Sequence, residues 1–433
     1  MIDSITLGYI AVGVMLLLAL SGVALPYAMS GVATIGLIMT IGFEGGLTQS
    51  LLLIWEQCNS FSLMTIPLFV LMGELAFRTG IVSDLFGAIR CWIGHIPGGL
   101  AMSGVVASAA FGAVTGSTAA CVATMGSTVM PELEKYHYDR AMSAGSLAGA
   151  GGLAALIPPS VVLIIYCVLT DQSIGELFMA TFAPGLLTML FFTLYVHIRC
   201  IITPSMGPAG PCSTWKERIA SLPRCLPVII IFMIVIGGMY KGIMTPTEAA
   251  GMGVAGVAFI AACMRRLTFE NVKVALKRSA VLSTSILFLF IGGWIMARFL
   301  VVTGTTKHMV SLILNLELSY YGLLAVLVAL FLVLGCVLEA SSLLILTMPI
   351  LFPVACEYGI HPAWFGVFCN LLIVMAAITP PVGINVFMMH GVRPDIPTLT
   401  IFRGALPFVG LCILTIVCIC VWPELVLYLP QHM

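Results

Sequence analysis

The chain is poor in charge. Only 8% of its 433 residues are Asp, Glu, Lys or Arg, against about 25% in an ordinary soluble domain. Its 18 acidic and 18 basic residues cancel to zero, which leaves no basic surface for a nucleic-acid partner. Long polar stretches are also missing. The largest loop, 201–224, is a short linker containing TPSMGPAGPCS. No G-x-S-x-G, H-E-x-x-H, G-x-G-D or G-x-x-x-x-G-K-[ST] occurs, which argues against an intramembrane hydrolase and an ATP-driven pump. The 14 cysteines contain no C-x-x-C pair and no Cys/His cluster of zinc spacing. They read as small buried thiols, and no cofactor is expected.

What is abundant is apolar sequence: 61% of the residues are hydrophobic. Apolar runs recur at Ile5–Ala24, Ala183–Ile198 and Leu406–Trp422, long enough to cross a bilayer as helices. The expectation is an all-α polytopic membrane protein. The first run lacks the basic start and small-residue cleavage site of a signal peptide, so it reads as a retained span. Lys and Arg collect in cytoplasmic loops. All but Lys241, Arg298 and Lys307 of the 18 basic residues fall on one side if the chain has about ten full spans and both termini lie outside the cytoplasm. That count also requires the segments 97–131 and 320–353 to enter and leave on the same side, as re-entrant hairpins.

The sequence repeats itself. Two double prolines interrupt apolar segments, AALIPPSVVLII (Ala154–Ile165) and AAITPPVGINVF (Ala376–Phe387), with Pro158 and Pro380 222 residues apart. The same offset carries Pro131 to Pro353, Tyr136 to Tyr358, and GSTAA (Gly116–Ala120) to LEASS (Leu338–Ser342). Each half thus has a hairpin, a turn and a broken span, and the charge count makes the halves inverted. The organisation read from this has four parts. Residues 1–62 are N-terminal scaffold helices and an interfacial arm, and 63–198 are the first repeat with its broken helix at 139–170. Residues 199–264 are linker and scaffold, and 265–433 are the second repeat with its broken helix at 361–392 and a last span. Inverted repeats with paired interrupted helices point to a secondary transporter with its site near the midplane. An uncoupled channel fits matched breaks less well.

Proline lacks an N–H and clashes with the preceding turn, so each break frees carbonyls at one half-helix end and N–H groups at the other. Freed carbonyls suit a hard cation, and the N–H ends suit an anion. The hairpin tips add oxygens: Thr115, Ser117 and Thr118 in GAVTGSTAAC, and Glu339, Ser341 and Ser342 in GCVLEASSLL. The breaks add Ser160, Thr379 and Asn385. This pattern reads as two related cation sites, one per half, with an anionic substrate between them. Sodium fits these oxygens better than a transition metal. Other readings stay open: close helix packing for Gly112, Gly116, Gly145 and Gly149, back-bonding hydroxyls for Ser117 and Thr118, and plain kinks for the prolines. Glu339 either neutralises a cation or caps the hairpin tip. Arg298 either snorkels or attracts the substrate. Glu74 and Arg78 read as an i,i+4 pair near a helix end. The segments 81–96 and 267–280 read as helices lying flat on the cytoplasmic surface, and 45–61 as a similar arm outside.

The stretch FGAVTGSTAACVATMGSTVMPELEKYHYDRAMSAGSLAGAGGLAALIPPSVVLIIYCVLTDQSIGELFMATFAPG (Phe111–Gly185) resembles the large membrane subunit of tripartite ATP-independent periplasmic (TRAP) transporters. So do LEASSLLILTMPILFPVACEYGIHPAWFGV and ITPPVGINVF, and the resemblance covers essentially the whole chain. It implies a sodium-coupled elevator in the cytoplasmic (inner) membrane of a bacterium or archaeon, importing an organic acid such as a C4-dicarboxylate or sugar acid. It implies two partners, a separate small four-helix membrane subunit and a soluble periplasmic binding protein. By analogy the first sodium site involves Ser117, Thr118, Leu156 and Pro158, and the second Gly335, Glu339, Ser341, Thr379 and Pro380. The substrate region takes Thr115, Ser160, Ser342, Asn385 and Arg298. Ala119 and Ala120 occupy tip positions, so any ligand there is backbone. The nearest rival is a stand-alone sodium–dicarboxylate symporter of the same broad architecture.

Overall fold

The computed structural model of the chain describes residues 3–335 and 338–432. Met1, Ile2, Cys336, Val337 and Met433 lie outside the described residues, and with them the terminal residues of the expected topology and two residues of the second expected hairpin. Every regular element among the described residues is helical. The chain opens with α1 (Ser4–Leu20), α2 (Leu25–Ile41), α3 (Phe43–Cys58) and α4 (Thr65–Arg78), followed by the amphipathic α5 (Ile81–Ile93). The first expected hairpin is α6 (Gly99–Thr115) and α7 (Thr118–Thr128), with the short α8 (Met130–Lys135) after it. The first broken span is α9 (Arg140–Gly151) and α10 (Leu153–Leu156), then α11 (Val161–Thr170) after the double proline. It bends by 41° at that break. Asp139 starts α9 as its N-cap, accepting from Met142 N at 2.8 Å.

A long helix, α12 (Ile174–Ile202), leads to the linker, α13 (Trp215–Ser221), α14 (Leu226–Tyr240) and α15 (Pro246–Cys263). Thr245 and Glu248 form a reciprocal capping box ahead of α15, with Pro246 at its first turn. Then come α16 (Phe269–Val302) and α17 (Thr305–Leu314). The second hairpin is α18 (Tyr320–Gly335) and α19 (Ala340–Glu357), and the second broken span is α20 (Pro362–Ala376) and α21 (Ile384–Val392). α22 (Thr398–Val421) and α23 (Glu424–Leu427) close the chain.

One expectation changes. The segment 267–280 is no separate flat helix but the start of α16, a continuous helix of 34 residues. Thr268 caps it, and no proline interrupts the run to Val302, so the amphipathic start and the apolar span propagate as one rod about 51 Å long at 1.5 Å per residue. By length and apolarity alone, fewer helices qualify as spans than the expected about ten. Among the described residues six helices are long and apolar enough to cross, or eight if each bent pair is one span. The difference arises because α1 and α2 have 17 residues each and the second broken span is cut into α20 and α21.

Burial separates centre from periphery. From Met142 to Ser160 every residue is buried, and so is every residue of α20 from Ala363 to Ala376. Helices apolar on all sides occupy the middle of a bundle, and these are the first arms of the two broken spans. The outer helices instead expose large apolar side chains, among them Leu17, Ile35, Met39, Met233 and Phe259, as a lipid-facing rim requires. Basic residues gather with their partners at one end. Arg90 pairs with Glu132 at 2.8 Å, Arg266 with Asp84 at 2.6 Å, and Arg393 with Glu134 at 2.7 Å. The linker docks at the same end, where Tyr138 donates to Pro208 O and Arg218 approaches His95.

Candidate functional site

Each hairpin tip meets its own half's break. At the first, Gly116 has a φ of +59°, and a Cβ there would lie 2.7 Å from Pro159 O. Only glycine takes that backbone shape without strain while letting the tip touch the double proline. At the second, a Cβ on Gly335 would collide with Ala376, the last residue of α20. The Pro158–Pro159 and Pro380–Pro381 peptides are both cis.

This juxtaposition brings eight helix ends to one cavity of about 940 Å³. The N-terminal turns of α7, α11, α19 and α21 contribute Thr118, Val161, Ala340 and Ile384. The C-terminal ends of α6, α10, α18 and α20 contribute Thr115, Ala155, Gly335 and Ala376. A helix N-terminus carries a partial positive charge of roughly half an elementary charge and the C-terminus the opposite. The cavity wall therefore holds fixed dipole ends of both signs. The N-termini suit a carboxylate, and the freed carbonyls suit a hard cation.

Of the residues expected at the site, Thr115, Ser117, Thr118 and Gly335 line this cavity, as do Glu339, Ser341, Ser342 and Asn385. Leu156, Pro158 and Ser160 lie behind it, fully buried at the first break, and Ser160 Oγ makes no hydrogen bond. Thr379 sits at the second break, donating to Met375 O at 2.7 Å, and Pro380 beside it is exposed; neither is a lining residue. Arg298 is not brought to the site: its Nε donates to Gln49 at 3.2 Å, on the contact between α16 and α3. Ser117 is the N-cap of α7, accepting from Ala120 N at 3.3 Å, and Thr115 bonds back to Phe111 O. Glu339 holds the equivalent N-cap position of α19, but its side chain makes no capping bond and accepts from Ser341 Oγ at 3.4 Å.

Two polar residues that sequence reasoning passed over belong here. Asn370, in the middle of α20, donates to Ala155 O at 2.8 Å and so satisfies a carbonyl freed at the first break. Asn385 does the reverse, donating from the second break to Ala148 O at 3.1 Å. Each half thus ties down the other's broken span, and the Oδ1 atoms of both asparagines are buried without a partner. An asparagine inside the apolar run VFCNLLIV is costly in lipid, and that cost was the signal available for Asn370. The second is Glu74 of α4: its expected i,i+4 pair with Arg78 at the helix end is present at 4.0 Å, and the residue is also a wall of the cavity. Among the described residues no group of three or more His, Cys, Asp or Glu stands ready for a metal ion.

A multi-pass helical membrane protein whose paired breaks converge on a cavity belongs to the class of membrane transporters. Residues 9–425 match the family described as the DctM component of the tripartite ATP-independent periplasmic transporter, and the chain belongs to that family of large permease subunits. It is 31% identical over 379 residues to the C4-dicarboxylate TRAP transporter large permease protein DctM of Pseudomonas aeruginosa, covering 87% of this chain and 88% of that one. It is 29% identical over 429 residues to the ectoine TRAP transporter large permease protein TeaC of Halomonas elongata, covering 97% and 98%. The sialic acid TRAP transporter large permease protein SiaM of Vibrio cholerae is 31% identical over 380 residues, covering 86% and 87%. The YdaH transporter of Alcanivorax borkumensis shares the fold, with a TM-score of 0.60 at 15% identity over 88% of this chain and 89% of that one. The relatives are permease subunits, and the chain is a transporter subunit and not an enzyme.

Proposed function

We propose that the chain imports an organic acid by sodium-coupled elevator transport, with the cavity at the paired breaks as the solute and ion site. The observation that supports this most is the convergence of four helix N-termini and four C-termini on one cavity, a wall suited to a carboxylate and a hard cation together. In this reading one sodium site lies at the first tip, around Ser117 and Thr118 with the carbonyls near Leu156 and Pro158. The other lies at the second tip, around Glu339 and Ser341 with Gly335, Thr379 and Pro380. The moving body is the buried group of α6–α12 and α18–α22, sliding against a frame of α2, α4, α15 and α16. The basic end faces the cytoplasm of a bacterial or archaeal cell and the termini face the opposite side. A periplasmic binding protein delivers the solute, and a small membrane subunit completes the frame.

The test is uptake into proteoliposomes. Uptake that needs both an inward sodium gradient and the added binding protein supports the reading. Uptake unchanged on replacing sodium by potassium sinks the coupling. Dicarboxylate uptake without a binding protein favours the stand-alone symporter.

A further inference from the structure

The cavity carries two carboxylates and, among its described lining residues, no Lys, Arg or His. Glu339 stands exposed at the second tip, where the proposed sodium ion faces it. Glu74 is different. It lies on α4, a helix packed on α15 and α16, and a Cβ on its neighbour Gly73 would lie 2.8 Å from Thr115 O. The carboxylate is therefore held beside the first tip by a helix outside both hairpins. The residue is only 9% exposed, and its Oε2 accepts no hydrogen bond. Two cations act on it through their fields, Arg278 of α16 and Arg78 of its own helix, and neither donates a hydrogen bond to Oε2. Arg78 Nε is 4.0 Å away and without a hydrogen-bond partner, while the guanidinium lies over the Phe77 ring at 5.3 Å.

A buried carboxylate oxygen that accepts no hydrogen bond calls for a donor. Next to it a plain dianion meets like charge. The four N-termini on the same wall already serve one carboxylate. We infer that the solute accepted by this cavity is a zwitterion, with its carboxylate on the helix N-termini and an ammonium or amidinium group donating to Glu74. This rests on the proposed use of the cavity as the solute site. A site with a fixed acceptor for a donor on the solute rejects analogues lacking that donor.

The test measures solute binding to the purified full-length membrane protein in saturating sodium, by the ligand dependence of thermal unfolding. The probes are ectoine and alanine as zwitterions with N–H donors, glycine betaine as the zwitterion without one, expected to bind more weakly, and succinate as the dicarboxylate. The expected result is that at least one zwitterion binds about tenfold or more tighter than succinate. Glu74→Gln should erase that preference, Glu74→Asp should keep part of it, and both variants should keep the stabilisation by sodium alone. Succinate binding as tightly as the best zwitterion overturns the inference, as does no zwitterion binding, or a Glu74→Gln variant whose preference is unchanged. Sodium-independent uptake would sink the coupling reading but leave this ranking standing, and a reversed ranking would sink only the zwitterion.

Discussion

At the first break residues 157–160 are buried throughout, whereas at the second Pro380, Pro381 and Val382 are exposed. The repeat offset pairs Ser160 with Val382 and Ser117 with Glu339. The first tip is therefore neutral, with its helix capped by Ser117, and it closes on a sealed break. The second tip is charged, its helix start is not capped by the side chain, and it faces an open break. Two copies of one device differ in what they expose. The first is sealed inside the protein with its helix start capped, and the second leaves a carboxylate and an uncapped helix start exposed.

Breaking the seal should have the largest effect. Gly116→Val forces a side chain onto Pro159 O at a positive φ, at a cost of about 1–3 kcal/mol. Uptake should fall below about a tenth of wild type, with a lower unfolding temperature. On the open side Val382→Ala should change stability by less than about 0.5 kcal/mol, as surface substitutions do. Equal losses at the two breaks would erase the contrast.

The next effect separates charge from cap. If Glu339 belongs to the proposed sodium site, Glu339→Gln should raise the sodium concentration for half-maximal uptake by about tenfold, since a carboxylate leaves that site. Ser117→Ala should raise it only a few-fold and cost about 1 kcal/mol through the lost N-cap. A sodium titration of both variants decides. An unchanged titration in Glu339→Gln removes the carboxylate from the proposed ion site.

The sequence made much of this fold legible because its punctuation is local. Double prolines stop helices wherever they stand, so both breaks and their 222-residue spacing are visible without coordinates. The tips are legible for the same reason, as polar and glycine residues between apolar arms. What stayed hidden depends on which elements touch. Asn370 looks like any residue of an apolar run until α20 is laid against α10, where it meets Ala155 O. Glu74 reads as half of an i,i+4 pair with Arg78, and that pair forms; its second role, as a cavity wall, follows only from the approach of α4 to the first tip. The start of α16 misleads in the opposite way. Its amphipathic pattern is real, but nothing ends the helix between pattern and span.

The asparagine ties sharpen the contrast at smaller scale. Asn370→Ala leaves Ala155 O at the sealed break without its donor and should cost about 1–3 kcal/mol, the penalty of an orphaned buried acceptor. Asn385→Ala removes a longer bond, 3.1 Å against 2.8 Å, to Ala148 O, and should cost less. Thermal unfolding of the two variants side by side checks the order. A larger loss for Asn385 would place the more important tie at the open break.

The smallest effect is expected where the two halves meet at the basic end. Arg393, just past the second broken span, bonds Asp395 at 2.8 Å and Glu134, which follows the first hairpin, at 2.7 Å. The guanidinium's hydrogen bonds hold the Asp395 carboxyl below its ordinary value. A carboxyl depressed in the folded state contributes stability that is present above its unfolded value, about 3.9, and is lost as pH falls through the lower folded value. Asp395→Asn should therefore lower the unfolding temperature slightly at pH 7, and the two proteins should converge as the pH drops below about 4. The pair is solvent-accessible, and such pairs are screened by salt, so the difference should shrink in 0.5 M salt. A gap that persists at low pH would mean that Asp395 supports the loop by packing and not by charge.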